Sequence, residues 1–181
     1  WKIKNFKWNN LFNYGEDNEL DFTKLAGTVG IFGKNYSGKS SVVDSLLYTI
    51  YNNTSKNIRK NYNIINEHKE QGSGEVEIEV GNKTYKISRQ SDKYVKKLKG
   101  QTTNEAKTDV EFACTDNVLN RAYNFNSTER HGTDRNIKKI FGSLEDFLLT
   151  SMSSQLGSMQ FINEGSTRRK EILAKFLDLE F

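Results

Sequence analysis

The chain has 181 residues, 35% of them hydrophobic, and a net charge of +4. That length supports one core with at most a small appendage. Eleven Phe, eight Tyr and two Trp supply enough large side chains to exclude disorder as the natural state.

Other classes fall away quickly. A single cysteine, Cys114, excludes an internal disulfide framework and fits a reducing compartment. The two histidines, His68 and His131, stand apart from any cluster with metal-ligand spacing and read as ordinary polar residues. No apolar run reaches the roughly eighteen residues that cross a bilayer. A start at Trp1 with no signal peptide reads as a trimmed or excised chain. The mild positive charge says less than a local patch would.

With no proline in the chain, element boundaries come from Gly, Asn and periodicity. "WKIKNFKW" (1–8) is strand-like, and "NELDF" (18–22) places Leu20 and Phe22 on one face. "GTVGIFG" (27–33) is apolar without alternation and predicts a strand buried on both faces. "KSSVVDSLLYTIY" (39–51) repeats Val42, Val43, Leu46, Leu47 and Ile50 at helical spacing. A polar connection covers about 52–73. "GEVEIEVGNKTYKISR" (74–89) then alternates on both sides of Gly81-Asn82, predicting a hairpin with one wet face. "DVEFACT" (109–115) is a further strand, and "TDRNIKKIFG" (133–142) a short helix stopped by Gly142. In 143–155 periodicity leaves helix and strand open at the tail. "STRRKEILAKFLDLEF" (166–181) predicts a helix to the last residue, with Ile172, Leu173, Phe176 and Leu177 on one face.

Between the apolar run and the helix lies "GKNYSGKS" (33–40). Its four fixed positions would arise by chance on the order of once in a hundred chains of this length. The context is also the one that phosphate binding requires, a buried strand leading in and an amphipathic helix leading out. Gly33 and Gly38 let successive N–H groups turn inward as an anion nest. The helix N-terminus adds its dipole. Lys39 reaches terminal phosphates, and the Ser40 hydroxyl can ligate Mg²⁺. Phosphoryl chemistry also needs an acid after a buried strand. "FACTD", ending at Asp116, is interrupted by Thr115, and "KFLDLE" (175–180) lies on a helical pattern. The hydrolytic half of the site is not legible in this chain.

These residues, in the order "KNFKWNN" (4–10), "NELDF", "GKNYSGKSSVVDSLLY" (33–48), a hairpin, "DFLLTSMSSQ" (146–155) and "STRRKEIL" (166–173), resemble a known family from first residue to last. The chain looks like the N-terminal lobe of an ATP-binding-cassette head of the SMC-like, SbcC-type double-strand-break repair ATPases, phage recombination endonucleases included. The resemblance implies an α/β fold, a P-loop lobe with a mixed sheet and an antiparallel hairpin region over 1–165. Residues 166–181 would then begin a helix leading into a coiled coil. A C-terminal lobe would hold the second acidic motif, the signature, the D-loop and the switch histidine.

The resemblance implies ATP and Mg²⁺ as cofactors. Asn35, Tyr36, Ser37, Gly38, Lys39, Ser40 and Ser41 match the phosphate loop that Gly33 opens, with Ser40 on the metal. Gln155 matches the Q-loop glutamine, a Mg²⁺ ligand and γ-phosphate sensor. Without the family it reads equally as a cap or a solvated residue. Lys7 stands where the family has a basic residue near the phosphates, and Asn66 near a loop that approaches the nucleotide. Tyr36 replaces the usual glycine and lies over the base or points to solvent, at roughly 1–2 kcal/mol if its φ is positive. Trp8 replaces a small polar residue.

Lysines crowd 83–99, and Lys93, Lys97 and Lys99 share strand parity. They read either as a solvated face or as a phosphate-tracking groove for duplex DNA, the second being what the family favours. The expected partners are the C-terminal lobe, a second copy joined through ATP, an SbcD-type nuclease and double-stranded DNA, with no membrane. The expected place is the cytoplasm, at the nucleoid of a bacterial or phage-infected cell, or the nucleus of a eukaryote. An SMC-type tethering ATPase and a stand-alone P-loop kinase or GTPase are the rival readings.

Overall fold

The alternation around Gly81-Asn82 becomes two strands joined by those two residues, with Val76 opposite Ile87 and Ile78 opposite Tyr85. Gly81 takes φ 57°, the conformation a tight turn needs there. The computed structural model describes residues 1–35, 37–55, 58, 60–98, 101–129, 131–152, 165–167, 169, 170 and 174. They fall into two units, 1–142 and 143–181.

In the first unit the strands are β1 (Lys2–Asn9), β2 (Asn18–Asp21), β3 (Gln71–Val80), β4 (Lys83–Leu98), β5 (Gln101–Asp116) and β6 (Arg121–Asn124). They form one sheet in the order β2-β1-β3-β4-β5-β6. The mixed sheet expected from the sequence is instead antiparallel at every described pairing. Short connections explain this for β3–β4 and β4–β5, because parallel neighbours need a crossover of a dozen residues or more.

Helix α1 (Lys39–Tyr51) packs on one face of this sheet. That face carries Phe6, Val76, Ile78, Ile87 and Phe112, all fully buried, while Lys7, Glu75 and Ser88 alternate onto the other. The approach of α1 is close. A Cβ on Gly74 would lie 1.9 Å from Thr49 Oγ1, so only glycine fits under the helix there. Helix α2 (Gly132–Phe141) closes the far end, where Phe141 meets Tyr85 at 5.4 Å and Phe112 at 6.0 Å between ring centroids.

Arg89 on β4 lies on the helix side of the sheet and is 1% exposed. Its Nε donates to Thr49 O (3.0 Å), and its Nη2 to Ile50 O (3.3 Å) and Asp134 Oδ1 (2.6 Å). Carbonyls in the last turn of a helix lack intrahelical donors. One guanidinium thus joins the end of α1 to the sheet and to α2.

The expected strand at 27–33 does not form. Val29 is 50%, Ile31 53% and Phe32 93% exposed, and no described residue builds a ladder with them. A strand exists only where another backbone pairs with it, and the six strands pair among themselves. Apolar composition therefore marked a segment that needs covering without naming what covers it.

In the second unit, α3 (Leu144–Thr150) is a helix; of the tail left open, 151 and 152 belong to no helix or strand, and 153–155 lie outside the described residues. A capping box starts α3: Asp146 N donates to Ser143 Oγ (3.2 Å), and Ser143 N donates back to Asp146 Oδ2 (2.8 Å). The described residues 166, 167, 169, 170 and 174 are helical.

Candidate nucleotide-binding site

Helix α1 begins at Lys39, directly behind Gly38, whose φ of 91° is left-handed and open to glycine. No side chain caps this helix, and a helix N-terminus favours an anion. Ser37 N donates to Lys34 O (3.2 Å) and Ser41 N to Gly38 O (3.0 Å), so the loop curls tightly before the helix. A Cβ on Gly33 would come within 2.7 Å of Ser37 Oγ. Gly38 is demanded by its left-handed φ, whereas at Gly33 a Cβ would have to displace only the Ser37 hydroxyl.

Lys39 folds back over the loop it ends. Its Nζ donates to Gly33 O and Lys34 O, each at 2.7 Å. An ammonium held inside a glycine-rich curl at a helix N-terminus is a site of positive potential lined by N–H donors, which suits a polyphosphate. Ser40 is exposed in the first helical turn and Asn35 in the preceding turn. The residues present fit ATP phosphates, with Ser40 available to Mg²⁺. Tyr36 and Gln155 lie outside the described residues.

The loop is braced from behind by residues that no motif marked. Tyr14 Oη donates to Gly38 O at 3.1 Å. Asn13 packs so closely that a Cβ on Gly38 would be 2.6 Å from its Oδ1. Burial pushes the Tyr14 hydroxyl above its ordinary value. Trp8 stacks on Phe6 at 4.8 Å and meets Tyr14 edge-on at 5.3 Å. Its buried indole N–H finds no acceptor among the described residues.

Two other candidates occupy different ground. Lys7 lies on the open sheet face, 3.8 Å from Glu19 Oε1. Asn66 staples loops together: its Nδ2 donates to Tyr14 O (3.0 Å) and its Oδ1 accepts from His68 N (3.0 Å). Asp116, the nearest match in the sequence to an acid after a buried strand, accepts from Val118 N and Leu119 N at 3.0 and 2.9 Å and caps a turn. Those backbone donors hold its carboxyl below the usual range.

Strands β4 and β5 run past the sheet as a two-stranded arm. There Lys93 and Lys97 share a face, opposite Ala106 and Thr102. Lys93 is already engaged: its Nζ donates to Asn66 O (2.9 Å) and Glu67 O (3.2 Å) and sits 4.9 Å from the Tyr62 ring centroid. Lys97 is exposed. Lys99 lies outside the described residues. Parity was readable in advance; the engagement of Lys93 with a loop 26 residues away was not. Among the described residues no helix is long and apolar enough to cross a membrane.

Comparison with known proteins places the chain among relatives. An uncharacterized protein of Acanthamoeba polyphaga mimivirus, R555, is 29% identical over 184 residues, covering 99% of this chain and 13% of that protein. The DNA double-strand break repair Rad50 ATPase of Sulfolobus acidocaldarius is 34% identical over 67 residues, 36% of this chain and 8% of that protein. The chain thus spans about an eighth or less of the length of these relatives. A family model for the AAA domain matches residues 2–180. The chain belongs to the AAA domain family.

Proposed function

We propose that this lobe binds ATP·Mg²⁺ and, with a C-terminal lobe and a second copy of itself, forms a DNA-repair ATPase. That assembly would couple ATP-driven closure to the binding and processing of double-stranded DNA ends by an SbcD-type nuclease, in the cytoplasm or nucleus. The observation that carries the reading is Lys39, whose ammonium lies on two carbonyls of the glycine curl at the mouth of α1. The exposed run through Val29, Ile31 and Phe32 supports a lobe supplied from elsewhere, because an unpaired apolar segment favours a strand partner.

The loop amides and Lys39 would hold the phosphates, Ser40 the metal, and Gln155 would report loss of the terminal phosphate. Bound Mg²⁺ neutralises phosphate charge. Lys39 would exchange its two neutral carbonyl acceptors for phosphate oxygens, and charge-assisted bonds are the stronger kind. The Lys39→Ala substitution should therefore weaken ATP binding by at least about tenfold and leave the fold unchanged. Titration with a fluorescent ATP analogue checks this, and unchanged affinity would sink the assignment.

A further inference from the structure

One line of hydrogen bonds runs from the root of the β4–β5 arm to the glycine loop. Lys93 Nζ donates to Asn66 O at 2.9 Å. Asn66 Nδ2 donates to Tyr14 O at 3.0 Å, and Tyr14 Oη to Gly38 O at 3.1 Å. The two loops in the middle are fastened along their length. Phe12 N donates to Ile64 O (2.7 Å) and Asn66 N to Asn10 O (2.8 Å), while Lys69 Nζ meets Glu16 Oε1 at 2.9 Å. Asn10, Phe12 and Asp17 hold φ of 53°, 54° and 58°. That region disfavours side chains, and such residues persist where their surroundings over-determine them. Loops 10–17 and 64–69 therefore behave as one stiff piece between arm and loop.

The end of this line matters chemically. A peptide unit is planar and trans, so its carbonyl and its N–H point in opposite directions. A hydroxyl that holds the Gly38 carbonyl also sets the direction of the Lys39 N–H, the first donor of α1.

We propose that Tyr14 is a positioning residue for phosphate binding, and that Lys93 sets Tyr14 through Asn66. Lys93 then acts on the nucleotide site rather than on DNA. The inference rests on the nucleotide reading of the loop, and the Lys39→Ala control separates the two.

The test uses the intact protein that carries this chain, with affinities for fluorescent ATP and for fluorescent adenosine measured side by side. Tyr14→Phe keeps the ring against Trp8 and removes only the hydroxyl. It should weaken ATP about three- to tenfold, the worth of one hydrogen bond, and leave adenosine binding unchanged. Lys93→Met should weaken ATP in the same sense, Lys93→Arg should restore it, and the double variant should be no worse than Tyr14→Phe alone. ATP and adenosine weakened equally would mark a merely structural tyrosine and overturn the proposal. Additive losses in the double variant would overturn the link to Lys93. Unchanged ATP affinity in Tyr14→Phe, with Lys39→Ala strongly impaired, would overturn the brace while the cradle stands. No effect of Lys39→Ala would remove the nucleotide reading itself. Should Lys93→Met fail to fold, the ATP-against-adenosine comparison in Tyr14→Phe still decides.

Discussion

Arg89 shows what one buried side chain can hold. Its guanidinium is removed from water, and Thr49 O, Ile50 O and Asp134 accept its hydrogen bonds. Removing one member of such a buried set costs about 3–5 kcal/mol, because the remaining polar groups lose their partners. Arg89→Met should therefore lower stability by about that amount in urea denaturation. Arg89→Lys should recover little, since a point charge cannot reproduce the fork. Near it, burial pushes the Tyr48 hydroxyl up to about 12, partly opposed by its 2.6 Å hydrogen bond with Ser91. The folded state favours the neutral phenol. Its contribution is complete below the unfolded pKa of about 10 and is lost as pH rises through the folded value of about 12. Denaturation midpoints measured at pH 9 and 11 should diverge in the parent and converge in Tyr48→Phe.

At the scale of elements, α1 is held at both ends by different chemistry. Tyr14 and Asn13 hold the Gly38 end, and Arg89 holds the carbonyl end. The β4–β5 arm divides its lysines in a similar way, with Lys93 turned onto loop carbonyls and Lys97 left to solvent. If the arm tracks duplex phosphates, Lys97→Ala should weaken binding uniformly across sequences and reduce the salt slope by about one. A slope equal to the parent's would return Lys97 to a solvated face.

For the whole molecule, the exposed Val29–Phe32 run and the engagement of Asp116 in a turn bear on catalysis. Phosphoryl transfer depends almost entirely on positioning and charge stabilisation. Residues 1–181 alone are expected to bind ATP weakly and to hydrolyse none above background. Adding the C-terminal lobe should restore turnover that rises steeply with protein concentration, as a two-site dimer requires. ATP turnover by the purified chain, abolished in Lys39→Ala, would contradict this expectation.

Local pattern by itself determined the hairpin around Gly81-Asn82, helix 39–51, the short helix stopped by Gly142, and the glycine curl ending in Lys39. Each follows from contacts between residues close in the chain: a two-residue turn, a 3.6-residue period, a loop that needs glycine. Tertiary structure alone decided that "GTVGIFG" finds no ladder among the described residues and that the sheet is antiparallel. It also decided that Arg89 serves α1 and that Tyr14 stands behind Gly38. Those outcomes join residues 24 to 45 positions apart or depend on which backbone comes alongside. Composition records that a segment needs burial or that a polar group needs a partner; it does not record which partner arrives.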